Sequence, residues 1–433
     1  MSEQLFANCI TLYIVFLGVF NLTRIAIFII GADLYRIKRI RRDKRFALKK
    51  LDKSNYPNIT VVVPAYNEEK TIASCIDSFY DVDYPREKLK VLIVNDGSKD
   101  RTEAIVKNIF TSRPQAWMEI ITTSNQGKAH ANNTGLKLAP LDTDIILCMD
   151  SDCSIAANGL IKVAQYFDAY PNLLTLASHV NIIPEKSLLN LSQRIEYTVS
   201  YQMKRALTAF NIEYSIGGIG SAFKYQDLLA VGGYDTDTMT EDIDLTLKLM
   251  RKFGNKDRKV AYADDVMTYA EAVPNLIGLL KQRFRWKFGR TQAFYKHREL
   301  FFNRDAKFNK WLTCLYLPLE ILFELIFLFE PIIISWFIYL AFRYNDFVTL
   351  LGAMVFSILY VSFSLVGEDL HSRKDRLTLI LLTPINFLLN YLVTFAEYYA
   401  LIKTIIKLPG LKKSINKNAS VWVSPARTGA KLN

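Results

Sequence analysis

The sequence predicts an α/β domain with a doubly wound sheet, set between apolar segments long enough to cross a bilayer. Three observations predict it. Between about residues 56 and 300, short apolar runs of strand length alternate with helical stretches. Two of those runs stop at carboxylates, Asp96 and Asp150, where strands of an open α/β sheet meet their ligands. On either side lie apolar stretches of bilayer length, in a chain that is 51% hydrophobic with a mean hydropathy of +0.11.

At the N-terminus, residues 5–32 are long enough to span once, with Arg24 as the one charge. A cleaved signal peptide fits poorly, because MSEQ is not basic and positive charge comes after the apolar run. Residues 59–63 read as a buried parallel strand ending at Pro64, followed by a helix over 68–80. A second strand over 90–94 leads to a helix over 101–110, and further strands are expected at 118–122 and 144–149. After residue 300 come apolar stretches at 311–342, 347–366 and 377–402, the first interrupted by Glu320, Glu324, Glu330 and Pro331. The expected organisation is a membrane segment over 1–35, a basic linker over 36–56, the α/β domain over 57–272, interfacial helices over 273–310, a membrane region over 311–402 and a basic tail over 403–433.

The chain of 433 residues carries 54 Lys/Arg against 42 Asp/Glu. Residues 36–50 hold a net +8 and residues 403–433 a net +7, so the rest is slightly acidic. Basic charge confined to two segments beside apolar stretches marks juxtamembrane flanks, and it leaves no basic stripe for nucleic acid. The first flank places the α/β domain in the cytoplasm. Four crossings would put the basic tail outside, so a re-entrant or interfacial segment within 274–342 is expected instead. Five cysteines without CxxC spacing and four dispersed histidines exclude a disulfide scaffold and a zinc hydrolase.

Four polar clusters carry the chemistry. Tyr66, after the first strand, offers a ring to stack on a pyrimidine, and Glu68 and Asp96 can accept from imide and ribose groups. Taken alone, Asn95-Asp96-Gly97-Ser98 reads equally as a turn with a helix cap. Asp150-Ser151-Asp152 brings two carboxylates to a strand end, which suits a hard divalent cation that also takes diphosphate oxygens. In Asn125-Gln126-Gly127-Lys128, Lys128 at a helix start meets either phosphate or solvent. Thr240-Glu241-Asp242 puts a carboxylate at a helix entrance, placed to take a proton from an acceptor hydroxyl; its plainer reading is an N-cap by Thr240. In Gln282-Arg283-Phe284-Arg285-Trp286, a guanidinium can hold diphosphate and an indole can pack against a sugar, or the helix can anchor at an interface.

In this order the clusters resemble the processive, membrane-embedded family 2 glycosyltransferases, the group of cellulose, chitin, hyaluronan and poly-N-acetylglucosamine synthases. The QxxRW element at 282–286 is the most specific part, since single-addition relatives usually lack it. Gln193-Arg194-Ile195-Glu196-Tyr197 and the ending Trp422-Val423-Ser424-Pro425-Ala426-Arg427 look most like the poly-β-1,6-N-acetylglucosamine synthases of bacterial biofilms. The resemblance implies a GT-A fold in which Tyr66, Glu68, Asp96, Lys128 and Asp150 bind the nucleotide and Asp152, with Asp150, ligates Mg²⁺ or Mn²⁺. It further implies Asp242 as general base, Glu241 as the group that orients it, and Gln282, Arg285 and Trp286 as the clamp on acceptor and diphosphate. The reaction implied is a single inverting displacement from a UDP-sugar onto a growing polysaccharide, by a multi-pass membrane protein with a cytoplasmic catalytic domain. Its polymer would leave through the membrane helices, where Glu320, Glu324 and Glu330 either wet the channel or belong to an interfacial helix, with a small accessory membrane protein as a candidate partner. Single addition to a lipid acceptor, or synthesis of hyaluronan, chitin or glucan, are the alternatives. Two departures stand near the acceptor: Gly217-Gly218 or Ile219-Gly220 where Ser-Gly is frequent, and Lys287-Phe288-Gly289 where Ala-Gln-Gly is common.

Overall fold

The structure, a computed structural model, describes residues 3–48, 55–366, 372–415 and 429. The chain runs α1 (Glu3–Leu48), β1 (Ile59–Ala65), α2 (Ile72–Tyr80), β2 (Leu89–Asn95), α3 (Thr102–Ser112), β3 (Met118–Thr122), α4 (Lys128–Leu138), β4 (Ile145–Cys148), β5 (Cys153–Ile155), α5 (Gly159–Ala169) and β6 (Leu173–Ile182). Then come α6 (Leu188–Ala209), β7 (Ser221–Lys224), α7 (Tyr225–Val231), α8 (Glu241–Phe253), β8 (Lys259–Ala270), α9 (Leu276–Lys296), α10 (Leu317–Tyr344), α11 (Phe347–Val366), α12 (Arg373–Leu381), α13 (Thr383–Lys407) and α14 (Leu411–Ile415).

One eight-stranded sheet, in the order β3-β2-β1-β4-β7-β6-β8-β5, forms the centre. The expected doubly wound half is there: β3, β2, β1 and β4 are parallel, and every residue of β1 is buried, because its Val-rich run is covered on both faces. Beyond β4 the sheet is mixed, a feature the local sequence pattern does not predict. β7 lies antiparallel to β4 and β6, while β8 runs parallel to β6 and antiparallel to β5. The reversal comes from where β7 starts. The glycine-rich loop before it lies at the carboxyl edge of β4, with Ser221 paired to Cys148, so the strand can only run back toward the amino edge. The strand order turns between β1 and β4, and the ends of those strands, Ala65 and Cys148, open onto the crevice that such a switch point creates.

Helix α1 is unbroken from the apolar run into the basic one. The segment 36–48 therefore does more than flank a membrane. Arg39 lies 2.7 Å from Asp264 and Arg42 2.8 Å from Asp265, with Arg205 3.1 Å from Asp264, because the wholly buried Asp264 and the half-buried Asp265 of β8 require counter-charges. At Gly31 the helix meets α6 backbone to backbone: a Cβ there would stand 2.6 Å from that of Ala206. Farther toward the N-terminus, Arg24 lies 5.1 Å over the ring of Phe323 in α10.

Among the described residues, two helical stretches, Trp311–Tyr344 and Thr383–Ile415, are long and apolar enough to cross a membrane, and Met354–Val366 is a shorter apolar helix. The expected single stretch over 377–402 is divided at Leu382, between α12 and α13, where Pro384 in the first turn of α13 cannot continue the preceding hydrogen-bond ladder. The tail motif at 422–427 lies outside the described residues.

Candidate active site

Three loops at the carboxyl edge build an open cleft of about 370 Å³, lined by Pro64, Ala65, Tyr66, Glu68, Asp96, Lys128, Ala131, Asp150, Ser151 and Asp152. Six expected nucleotide and metal residues thus converge, although they span 87 positions from Tyr66 to Asp152. The first two loops hold each other. Asn67, in the left-handed region at φ 56°, donates its amide to the Ser98 hydroxyl at 3.0 Å and accepts from the Lys99 amide at 2.8 Å. Glu68 is buried and accepts from the Thr71 hydroxyl at 2.8 Å.

Asp96, readable from sequence as either a ligand group or a turn residue, does a structural task within the lining. Its two carboxylate oxygens accept from the amides of Gln126 and Gly127 at 3.0 and 2.8 Å. That fixes the loop that launches α4 and hence Lys128. Burial pushes the Asp96 carboxyl up from its ordinary value, against the pull of those two amides.

Lys128 is not a solvated lysine. Its Nζ lies 2.6 Å from Asp150 Oδ1 and 3.3 Å from Glu241 Oε1. Burial works against its charge, but Asp150, Glu241 and Asp242 overcome that and raise its pKa. Gly218 comes down onto this group: a Cβ there would stand 2.7 Å from Lys128 Nζ, 3.6 Å from Asp242 Oδ2 and 3.7 Å from Asp150 Oδ1. A bare glycine therefore suits this position, the second of the Gly217-Gly218 pair. Asp242 is pushed up to about 6, by burial first and then by the neighbouring Glu241, while Lys128 and Arg285 pull it down. Such a carboxyl is poised to exchange a proton near neutrality.

Thr240 precedes α8 but makes no side-chain cap, so the plain N-cap reading does not hold for it. Its side chain instead packs against Gly289 of α9, where a Cβ would stand 2.6 Å away. Glycine at the end of Lys287-Phe288-Gly289 is thus required by the close approach of α9 to the Thr240-Glu241-Asp242 turn. A second tie lies below it. Lys296 Nζ is 2.6 Å from Asp235, 2.7 Å from Asp237 and 3.0 Å from Asp244, and His297 Nε2 is 2.9 Å from Asp244. This acid cluster, which no sequence motif marks, already holds an ammonium at its centre.

Gln282, Arg285 and Trp286 stand on α9, outside the cleft lining. Arg285 is close enough for its charge to act on Asp242, and Trp286 lies under the guanidinium of Arg283, 4.7 Å from ring centre to Cζ. Sequence reasoning missed what supports this helix. Arg283 pairs with Glu196 at 2.7 Å and Glu397 at 3.2 Å, Lys287 with Glu324 at 2.8 Å and Glu397 at 3.2 Å, and Arg290 with Glu320 at 3.4 Å and with Glu324. Glu320 and Glu324, expected to wet a channel, are therefore consumed as counter-ions for α9, since buried cations need them. The signal for this was in view: bases spaced i, i+4, i+7 at 283, 287 and 290, and acids spaced i, i+4 at 320 and 324. Gln193 of the 193–197 element bonds both backbone groups of Val273, at 3.0 Å each, and so aims the chain that enters α9.

A mixed α/β sheet whose carboxyl edge gathers acids beside a lysine, overhung by a helix bearing arginine and tryptophan, defines a sugar-nucleotide transferase scaffold of the GT-A type. The chain belongs to glycosyl transferase family 2: the model described as "Glycosyl transferase family 2" matches residues 60–228, and "Glycosyl transferase family group 2" matches 145–392, more than half of the chain. It is 28% identical over 289 residues to the poly-beta-1,6-N-acetyl-D-glucosamine synthase of Staphylococcus aureus (strain COL), a match covering 66% of this chain and 65% of that protein. The synthase of the same name from Staphylococcus epidermidis is 27% identical over 283 residues, 65% of each chain. The chain thus aligns with slightly less than two thirds of the length of these relatives. Among solved structures, the mannosyltransferase PcManGT from Pyrobaculum calidifontis, in complex with GDP-Man and Mn²⁺, shares the fold with a TM-score of 0.52, at 23% identity over 88% of this chain and 96% of that one.

Proposed function

We propose that this protein is an inverting, processive glycosyltransferase that polymerises a UDP-sugar at the cytoplasmic face of a membrane and feeds the product across it. The favoured unit is N-acetylglucosamine, joined β-1,6. The observation that carries the reading is the Asp242 carboxyl, raised to about 6 and flanked by Glu241, Lys128 and, across Gly218, Asp150. The names of the relatives support the sugar, and the QxxRW helix beside the acid turn supports repeated addition over a single one.

In this reading Tyr66, Glu68 and Asp96 hold the uridine end of the donor, with Asp96 acting partly through the loop it fixes. Lys128 and Asp150 meet the diphosphate side. The acids of the cleft suit a hard divalent cation, since Asp150 and Asp152 present carboxylate oxygens to one wall without a histidine among the lining residues. Bound there, Mg²⁺ or Mn²⁺ would neutralise charge on the leaving diphosphate. Asp242 takes the proton from the acceptor hydroxyl as its oxygen attacks the anomeric carbon, and Glu241 keeps the Asp242 pKa high enough to accept it. Gln282, Arg285 and Trp286 hold the acceptor end over that carboxylate. Helices within Trp311–Tyr344 and Thr383–Ile415, with the apolar part of α1, form the membrane passage.

The test is label incorporation from a panel of UDP-sugars by membranes carrying this protein or Asp242→Asn, with Mg²⁺ or Mn²⁺, followed by sizing and digestion with linkage-specific glycosidases. High-mass product from UDP-N-acetylglucosamine alone, cut by a β-1,6-hexosaminidase and absent with Asp242→Asn, is the expected result. Polymer from another sugar would retain the mechanism and change the unit. Short, lipid-extractable product would replace polymerisation by single addition to lipid.

A further inference from the structure

Helix α9 carries two functional faces about a third of a turn apart. Gln282, Arg285, Trp286 and Gly289, at i, i+3, i+4 and i+7, share the face where Gly289 touches Thr240 and Arg285 acts on Asp242. Arg283, Lys287 and Arg290 share the other, where all three are paired to acids of neighbouring helices. Arg283 belongs to both. Buried to 4% exposure, it lies 2.7 Å from Glu196 of α6 and 3.2 Å from Glu397 of α13, and its guanidinium covers the indole of Trp286.

A planar cation resting on an indole sets the tilt of that ring, and a lysine cannot reproduce both the stacking and the two-acid bridge. The bridge also has a direction. Glu196 belongs to α6, which packs on β6 and β8 of the sheet, whereas Glu397 belongs to one of the two stretches long and apolar enough to cross a membrane, and its second oxygen lies 3.2 Å from Lys287. Through one side chain, the indole is therefore referenced to the membrane-side helix as well as to the catalytic sheet.

We propose that Arg283 is a positioning residue for Trp286. Held between Glu196 and Glu397, it fixes the plane on which the acceptor sugar rests and so governs how long the growing end is retained between additions, without taking part in donor chemistry. The proposal rests on the polymerising reading given above. It assigns Glu196 and Glu397 the task of orienting Arg283 and gives the 193–197 element its use: Gln193 aims the start of α9 while Glu196 holds its arginine.

Removing the guanidinium outright would take from Glu196 the cation that faces it and leave Glu397 to Lys287 alone, so the informative variants are Arg283→Lys and Glu397→Gln, which preserve bulk. Each is compared with wild type and Trp286→Phe in membranes supplied with UDP-N-acetylglucosamine, reading product length after a chase, donor KM and the initial rate of UDP release, with thermal unfolding in detergent to verify folding. The expected result is product shortened about fivefold to tenfold in both variants, with donor KM and UDP release within about twofold of wild type. Combining Arg283→Lys with Trp286→Phe should shorten the product no further than Trp286→Phe alone, because both act through one contact. Unchanged length in folded Arg283→Lys and Glu397→Gln would overturn the proposal. So would UDP release falling in parallel with length, which marks a merely structural role, and so would multiplicative shortening in the double variant. If wild type makes polymer from no UDP-sugar, the underlying reading fails instead, and the positioning role fails with it.

Discussion

The donor cleft and the α9 platform stabilise their working residues in opposite ways. In the cleft, side chains are fixed by the sheet: Asp96 binds amides of the next loop, Asn67 binds Ser98 and Lys99, and each tie joins neighbouring strand ends. On the platform, Arg283, Lys287, Arg290 and Lys296 draw on acids from α6, α8, α10, α13 and the turn before α8. The first arrangement is rigid because its backbone is already part of a buried sheet. The second depends on charge pairs between separate helices, whose buried members are each costly to leave alone. The lesson is that a binding cleft can be built locally, while a helix that must touch both a soluble domain and membrane-side helices has to be secured from several directions.

The most damaging way to break this contrast is Asp244→Asn, which strips a wholly buried partner from Lys296 and His297. Lys296 keeps Asp235 and Asp237, so the expected cost is that of the lost charged hydrogen bonds, about 2–3 kcal/mol, read as a lowered midpoint in thermal unfolding. Lys128→Ala attacks the cleft instead. Without its charge, Asp150, Glu241 and Asp242 repel one another, and transfer should fall about a hundredfold while folding is kept, measured as polymer formed per enzyme.

The pH dependence sharpens the same point. Asp242 serves as a base only when ionised, so kcat/KM should fall about tenfold per pH unit below about 6 and level off above it. Since Lys128 pulls the Asp242 pKa down, Lys128→Ala should move that inflection to higher pH. A profile flat from pH 5 to pH 8 would remove Asp242 from the base role. Gly289→Ala tests the seam between the two regions. The added methyl meets the Thr240 side chain and its backbone nitrogen at 2.9 Å, and a loss of about 1–3 kcal/mol is expected, together with reduced transfer. The smallest effect belongs to the rim. Arg101 is 82% exposed and pairs with Glu69 at 3.3 Å, so Arg101→Ala should shift stability by less than about 0.5 kcal/mol in a denaturant titration.

The same division separates the legible from the illegible in the sequence. Strands β1, β2 and β4 can be read because a buried parallel strand is a local run of apolar residues, and the acids after β2 and β4 can be read because strand ends are where such runs stop. The antiparallel β7 is not legible, since its direction depends on the glycine-rich loop before it lying at the end of β4, a strand distant in the chain. Lys128 and Thr240 look ambiguous because their partners, Glu241 and Gly289, are far away in the chain. Glu196 is visible only as part of a family element, because its physical role requires Arg283, 87 residues on. Glu320 and Glu324 invite assignment to a channel because a lone acid in an apolar helix does not reveal which cation it faces.

Gly31 sets an index mark along α1. Because backbone meets backbone there, the helix seats against Ala206 at one axial setting, as a shaft does at a detent. From that mark the rise of the helix carries Arg39 and Arg42 about 12 and 16 Å farther on, to the level of Asp264 and Asp265. A slip of one turn, about 5 Å, would part both arginines from both acids at once, leaving Asp264 to Arg205 alone. A residue with no side chain thus decides, from a distance, whether four charges find one another.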